Sequence, residues 1–396
     1  MAHPHRDEAA KRLQKQYPEL GIRIVHDPDP DGPPATLRTA RLAWGAVAAG
    51  ATHHLVLQDD VELCQGFAEA VHRAVVAGPV GPLSFFANWA SRSGQMLRLA
   101  ALSGAGWAPV LDEYVPAQAL LLPAGLAAEF ARYAQTLHFT VPDNQAMSAF
   151  LAAKQLNTYV SCPNLVEHAD GAGSLLSHDV MFGVRSSVLY PRDVDVAAEA
   201  FDGGVVASRC VPHFESLAGY AVVFFQSERD GASAGSVAAH EILRDCDMSN
   251  AEIVEQFRAC LGGQPQAEPA ESGFGYPFIF QLWLTAFLLG VVAACVLGDS
   301  ERAASDGGAA GGHPRDRFAP DPAVLERGLE RPWASGALAT LPAGTLRRFL
   351  PAEQLTVASA RLLGLCTEAL RAGFAAPARW PELLTFPERL APARRS

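Results

Sequence analysis

Strand-like and helix-like patterns alternate along the first 190 residues of the chain. Residues 6–20 predict a polar helix, and residues 22–25 predict a short strand. A helix over residues 35–49 then precedes a second apolar strand at residues 55–57. A helix follows each strand, which is typical of a parallel sheet between two layers of helices. The pattern therefore predicts an α/β domain in this part of the chain.

The strongest apolar run covers residues 274–297 and is long enough to cross a bilayer, for which about 20 apolar residues suffice. Pro277 lies near its start, Gln281 and Thr285 interrupt it, and its flanks carry few basic residues. These features favour a helix that is buried in a helical domain. Membrane insertion remains the alternative, as does peripheral contact with a membrane.

Three regions follow from these patterns. Residues 1–190 form the α/β domain, residues 191–265 form a connecting α/β segment that completes or flanks it, and residues 266–396 form an α-helical region. Residues 298–317 are rich in Gly, Ala, Asp and Ser, which is the composition of a flexible linker.

Composition and charge narrow the class of protein. The chain has 396 residues, of which 49% are hydrophobic, and this is ample for a buried core. The net charge of −11 argues against nucleic acid as a partner, because phosphate-backbone binding needs clustered Lys and Arg. The seven cysteines show no pair at zinc-finger or redox spacing, and no signal-peptide pattern opens the sequence. We therefore expect reduced thiols in a cytoplasmic protein.

Two adjacent acids, Asp59 and Asp60, follow the strand at residues 55–57 directly. The carboxyl ends of parallel strands face the ligand crevice of an α/β sheet, so acids at this point meet solvent, a metal ion or a phosphate. The alternative is structural, because a pair of acids after a strand is also typical of a solvated strand end or a helix N-cap.

Several further motifs come in a fixed order around these acids. They are the N-terminal segment with Arg6, a strand that ends at Asp27, the helical residues 36–44, Gln58-Asp59-Asp60, and residues 115–123, 141–144 and 163–168. In this order they resemble the nucleotide-binding half of GT-A type glycosyltransferases, similar to bacterial families 2 and 25. The resemblance covers about half of the chain and implies a Rossmann-like, mostly parallel sheet between helices.

The resemblance also implies a metal site. Asp60 is the expected first ligand for Mn²⁺ or Mg²⁺ with Asp59 as its helper, and His168 matches the position of a distant second ligand, with His178 as a spare candidate. Gln58 stands where many relatives carry an acid. Its amide oxygen can still hydrogen-bond the donor's ribose or a metal-bound water, but it brings no charge, so metal affinity is expected to be reduced. Without the resemblance, a lone His after a strand is more often a surface or hydrogen-bonded residue.

Other residues receive roles from the same resemblance. Asp143 matches the acid that deprotonates the acceptor hydroxyl in inverting enzymes, while plain N-capping of the next helix is the alternative. Asp27 matches the contact to the base or ribose of the donor. Arg6, Arg38 and Arg41 are candidates for binding phosphate oxygens, and Arg38 and Arg41 share one helix face.

The sequence therefore predicts a metal-dependent glycosyltransferase that moves a sugar from a UDP-sugar or another nucleotide-sugar donor to a hydroxyl or similar acceptor. The glycine-rich residues 170–177 and residues 183–187 are expected to close over the diphosphate. A nucleotide-binding homologue that has lost transfer activity is the first alternative, and a helical membrane-associated or interaction protein is the second. An oligomer is compatible with all three, and so is a native N-terminus that is longer than the printed one.

Overall fold

A computed structural model of the chain describes residues 1–169, 183–196, 204–208, 210–226, 233–246, 248–305 and 321–376. They belong to two compact units. The first unit combines Met1–Asn88 with Gly106–Val205, and the second combines Trp89–Ala105 with Val206–Ser396.

Helices and strands are numbered in chain order. The helices are α1 Asp7–Gln16, α2 Thr36–Gly45, α3 Phe67–Ala77, α4 Arg92–Ser103, α5 Ala124–Gln135, α6 Asp143–Ala153, α7 Ala239–Asp245, α8 Asn250–Gly262, α9 Pro269–Ser272, α10 Tyr276–Ser305, α11 Pro322–Leu329, α12 Ala334–Leu346 and α13 Ala352–Ala375. The strands are β1 His53–Leu57, β2 Val61–Leu63, β3 Leu83–Ser84, β4 Trp107–Pro109, β5 Ala119–Pro123, β6 Tyr159–Ser161, β7 Val166–His168, β8 Cys210–Glu215, β9 Tyr220–Gln226 and β10 Ser233–Ala238.

The main sheet of the first unit is mixed, with the strand order β1-β5-β3-β6-β4. Three of its four described pairings are antiparallel, and β3 with β6 is the parallel one. The prediction of an α/β unit is confirmed, but the prediction of a mostly parallel sheet is wrong. A helix after a strand makes a parallel neighbour possible, yet β1 pairs with β5, a strand from much later in the chain.

Two of the predicted elements near the N-terminus differ in extent. The helix predicted over residues 6–20 ends at Gln16 and is followed by a 3-10 turn at Pro18–Leu20, because Pro18 cannot donate a helical backbone hydrogen bond. The strand predicted at residues 22–25 is reduced to one parallel bridge between Ala2 and His26.

Alternation along β5 divides the core of the first unit into two layers. Leu120 and Leu122 belong to one buried cluster, which includes side chains from α2, α5 and α6. Leu121 belongs to the other cluster, which includes side chains from α3. Successive side chains of a strand point to opposite faces, so this strand is buried on both sides. Packing on both faces therefore holds β5 inside the core.

The second unit joins an antiparallel sheet, β10-β9-β8, to a group of helices. Within α10, Tyr276–Gly298 is long and apolar enough to cross a membrane, and 83% of its apolar window is buried inside the protein. The helix packs along α13, and α4 packs against α10 and α12. The last residues of α10, to Ser305, lie within the stretch predicted as a linker. The rest of that stretch is outside the described residues.

Arg98 shows how tightly α4 is built into this unit. Its guanidinium is fully buried, and Nε donates to Ala337 O at 2.9 Å while Nη2 donates to Thr340 Oγ1 at 3.1 Å. Burial lowers the pKa of Arg98 to about 9. A buried cation of this kind fixes the position of α4 because its hydrogen bonds are costly to leave unmade.

Glycines allow α10 and α13 to approach closely. A Cβ on Gly290 would overlap the backbone oxygen of Leu370, and one on Gly373 would overlap that of Phe287. We expect Gly290→Ala to lower the free energy of unfolding of the second unit by about 1–3 kcal/mol, because the helices must move apart. Urea unfolding measures this difference. Gly262→Ala is the control, since a Cβ there meets no atom within 4 Å, and equal stability of the two variants would contradict the close approach.

Candidate functional site

The N-terminal residues connect the segment around Asp27 to the end of β1. Ala2 N donates to Val25 O at 2.8 Å, and Asp27 N donates to Ala2 O at 3.0 Å. On the other side, His3 N donates to Asp59 Oδ2 at 2.8 Å. The N-terminal segment therefore lies between the chain at Asp27 and the end of β1, and it places Asp27 and Asp59 at the same edge.

A cavity of about 380 Å³ opens at this edge of the first unit. Seven of the nine residues assigned to the site from the sequence line it, and these are Arg6, Asp27, Arg38, Gln58, Asp59, Asp60 and Asp143. Other polar lining residues had received no role from the sequence, among them His3, His5, Tyr114, Gln118, Asn144 and Arg185. All of them except Tyr114 lie within the sequence segments described above, and His5 and Asn144 each adjoin a residue that was assigned a role.

Asp59 and Asp60 share one cation. Arg6 Nη1 lies 2.8 Å from Asp60 Oδ2 and 3.3 Å from Asp59 Oδ1. His168 Nε2 lies 3.3 Å from the same Asp60 Oδ2. Among the described residues, Asp60 Oδ1 is buried and has no hydrogen-bond partner. The carboxylate pair is thus neutralised in part, and one oxygen atom remains available.

The surroundings of the two carboxyl groups shift their pKa values in opposite directions. Burial alone would raise the pKa of Asp60, but the hydrogen bond and charge of His168 and the charge of Arg6 outweigh it and hold the pKa at about 2. Burial is the main cause that raises the pKa of Asp59, and the neighbouring Asp60 raises it further. Asp60 is therefore the carboxylate that keeps its charge most firmly.

Strand pairing positions His168 beside Asp60. Strand β7 is antiparallel to β2, with His168 opposite Val61, and Ala169 N donates to Asp60 O at 2.8 Å. Glu167 Oε1 accepts from the backbone N–H of His168 at 2.7 Å and from that of Ser187 at 2.8 Å. These bonds fix the backbone on both sides of the imidazole. His178 and residues 170–177 lie outside the described residues.

Arg38 binds Asp27 and the loop that follows it through several hydrogen bonds. Its Nε and Nη2 donate to the two carboxylate oxygens of Asp27 at 2.6 and 2.7 Å, and Nη2 also donates to Asp29 O at 2.6 Å. The hydrogen bond from Arg38 is the main reason why the pKa of Asp27 is lowered. Arg38 therefore holds the wall of the cavity in place. The sequence had predicted phosphate binding for it instead.

Arg41 lies elsewhere. Its Nε donates to Ala134 O at 2.9 Å, and its Nη2 donates to Leu137 O, so the side chain ties α2 to the end of α5. The spacing of three residues placed Arg38 and Arg41 on one helix face, but their partners lie in different directions. Arg41 therefore supports the fold of the first unit instead of reaching the cavity.

Asp143 is the first residue of α6, and Pro142 is the N-cap. Its backbone N–H donates to Thr36 Oγ1 at 3.1 Å, which links the start of α6 to the start of α2. Burial raises the pKa of its carboxyl group, while hydrogen bonds to Thr36 and to the backbone of Asn144 oppose the change. A cavity-lining carboxylate with a raised pKa has the chemistry of a general base.

In the part of the chain that the structure describes, no group of three or more His, Cys, Asp or Glu side chains is arranged to hold a metal ion. Comparison of the chain with protein-family models, with curated proteins and with solved structures finds no match.

Proposed function

We propose that the chain is a glycosyltransferase with a nucleotide-sugar donor, and that the cavity beside Asp59 and Asp60 binds the donor. The observation that carries the proposal is the convergence of four acids, Asp27, Asp59, Asp60 and Asp143, on one cavity. They come from three separate segments of the chain, and the resemblance in the sequence assigned a metal, donor or acceptor role to each. Acids that lie on the surface by chance would have no reason to line the same cavity.

The carboxylate pair fits a divalent cation such as Mn²⁺ or Mg²⁺. Asp60 Oδ1 is a buried oxygen without a hydrogen-bond partner among the described residues, and His168 lies next to the same carboxylate. Mg²⁺ is commonly held by one or two carboxylates together with substrate phosphates, so a ready-made cage of three side chains is not needed. When bound, the cation would neutralise negative charge on the departing nucleoside diphosphate.

The acids that line the cavity have different roles in the proposed reaction. Asp60, with Asp59 beside it, supplies fixed negative charge at one side of the cavity. Asp27 is held by Arg38 in one orientation, and it offers an acceptor for a ribose hydroxyl or a base N–H. Asp143 accepts the proton of the acceptor hydroxyl as that oxygen attacks the sugar.

A donor-binding screen tests the proposal. UDP-, GDP-, CMP- and dTDP-sugars are each added to the full chain, with and without Mn²⁺, and the melting temperature is measured. We expect one nucleotide class to raise it and Mn²⁺ to enlarge the rise, because ligands that bind only the folded state stabilise it. No stabilisation by any nucleotide under either condition would overturn the proposal.

A nucleotide-binding homologue without transfer activity is the second candidate. It is favoured by Gln58, a neutral amide in the position of an acid, and by the ion pair that Arg6 already forms with Asp59 and Asp60. Both candidates bind the donor. Release of free nucleoside diphosphate during long incubation with the stabilising donor separates them, because only an active transferase breaks the bond between sugar and phosphate.

A further inference from the structure

Arg6 occupies the place where a divalent cation is expected. We propose that Arg6 is a displaceable counter-ion, which holds Asp59 and Asp60 in the donor-free protein and exchanges them for the donor's diphosphate when a divalent cation enters. This inference rests on the proposed function, because it takes the diphosphate as the group that Arg6 receives. It makes binding of the cation and of the diphosphate mutually dependent.

The carboxylate pair needs a cation even without a ligand. The side chains of Arg6, Asp59 and Asp60 are only 14%, 10% and 12% exposed. Two neighbouring carboxylates with so little water around them repel each other, and removing a cation that contacts both of them is costly. Arg6 therefore stabilises the empty cavity.

The same geometry shows that Arg6 neutralises the pair incompletely. One nitrogen atom, Nη1, serves both carboxylates, and its 3.3 Å distance to Asp59 is at the long end of hydrogen bonding. Asp60 Oδ1 receives no hydrogen bond among the described residues. Arg6 brings one positive charge to two carboxylates, and a divalent cation would bring two.

Arg6 also has a suitable second partner. It lies at the end of the 3-10 turn Pro4–Arg6, just before α1, and it lines the cavity. A guanidinium group binds phosphate oxygens through two parallel hydrogen bonds, and it does so more strongly than neutral donors. Arg6 can therefore transfer from carboxylate to diphosphate within one cavity, while the cation takes its former place.

Binding of Mn²⁺, measured by electron paramagnetic resonance of the free ion, tests this exchange. The Kd for Mn²⁺ is determined alone and with saturating UDP, in the wild type and in Arg6→Gln. In the wild type we expect UDP to tighten Mn²⁺ binding by about tenfold or more, within the usual range of coupling between sites. In Arg6→Gln we expect Mn²⁺ alone to bind about fivefold or more tightly than in the wild type, and the effect of UDP to shrink.

Two further variants separate the exchange from a general charge effect. Arg12→Gln removes an exposed arginine of α1 and must leave both Kd values unchanged. Arg6→Lys keeps the positive charge and must bind Mn²⁺ more weakly than Arg6→Gln. Because it keeps the charge beside Asp59 and Asp60, it also serves as the test variant if Arg6→Gln folds poorly. Circular dichroism checks folding of each variant.

The outcomes distinguish this inference from the proposed function. If Arg6→Gln binds Mn²⁺ no more tightly than the wild type, Arg6 is not a competing counter-ion, and the inference is overturned even when UDP binds. If no nucleotide binds but Arg6→Gln still gains Mn²⁺ affinity, the counter-ion role stands and the donor assignment fails. If UDP coupling is the same in both proteins, the transfer of Arg6 to the diphosphate is disproved.

Discussion

Asp143→Asn is expected to slow sugar transfer by about 10²–10⁴-fold, the usual contribution of a general base, with donor affinity close to that of the wild type. The asparagine side chain has the same shape and cannot accept the acceptor's proton. Because Pro142 is the N-cap and Asp143 follows it, α6 should still form. Steady-state kinetics should therefore show a loss in kcat with little change in the donor's KM.

The pH profile gives a second readout for the same residue. Burial raises the pKa of Asp143 above its usual value of 3.8, so the carboxyl becomes protonated at a higher pH than an exposed aspartate does. Transfer in the wild type should fall as the pH decreases through this raised pKa, and the variant should lack that limb. Glu19→Gln, on the exposed surface, is the matched control for loss of one charge. Wild-type turnover in Asp143→Asn would remove it as the base.

Asp60→Asn is expected to abolish the part of UDP binding that depends on Mn²⁺. Loss of a residue that merely supports a metal ligand costs about 10–100-fold in metal affinity, and Asp60 should matter at least as much. It is the carboxylate with the pKa of about 2 and with the buried oxygen that lacks a partner among the described residues. Calorimetry with UDP, with and without Mn²⁺, measures the effect.

Glu62→Gln is the control for Asp60→Asn. Glu62 lies on β2, two residues further along, and it forms an exposed pair with Arg192. Its replacement removes the same charge without touching the cavity, so UDP binding should persist. An unchanged affinity of Asp60→Asn for UDP in Mn²⁺, with the fold intact by circular dichroism, would refute the metal assignment.

The acids of the site were predictable because each belongs to a local signal. Asp59 and Asp60 directly follow an apolar strand, Asp27 stops a predicted one, and Asp143 precedes an apolar helix. Short-range patterns of this kind locate strand ends and helix starts well. The cavity itself did not follow from the order of the elements, because the sheet is mixed and Asp27 is placed by the bridge between Ala2 and His26.

The remaining lining residues and the sheet order depend on contacts between distant parts of the chain. His3 reaches Asp59 across 56 residues, and nothing near His3 in the sequence signals this contact. The same holds for Tyr114, which also lines the cavity. The directions of the strands could not be predicted from the sequence either. Strand β3 has only two residues, and it pairs with β5 and β6, which come much later in the chain.

The two arginines of α2 show a different limit. Helical spacing places Arg38 and Arg41 on one face. Each side chain is long, however, and its position is decided by the acceptors it finds. Arg38 finds the carboxylate of Asp27, and Arg41 finds the carbonyl of Ala134, a residue of α5. Side-chain partners of this kind require the tertiary structure.

Helix α4 has a consequence for biosynthesis. Arg98 leaves the ribosome 239 residues before Ala337, whose carbonyl oxygen it binds in the finished protein. At about 5–20 residues per second, the interval is roughly 10–50 s. During that time the apolar side chains of α4, including Met96 and Leu97, lack the helices that later bury them. Until those helices are synthesised, α4 exposes an apolar surface of the kind that makes incompletely folded chains prone to aggregate.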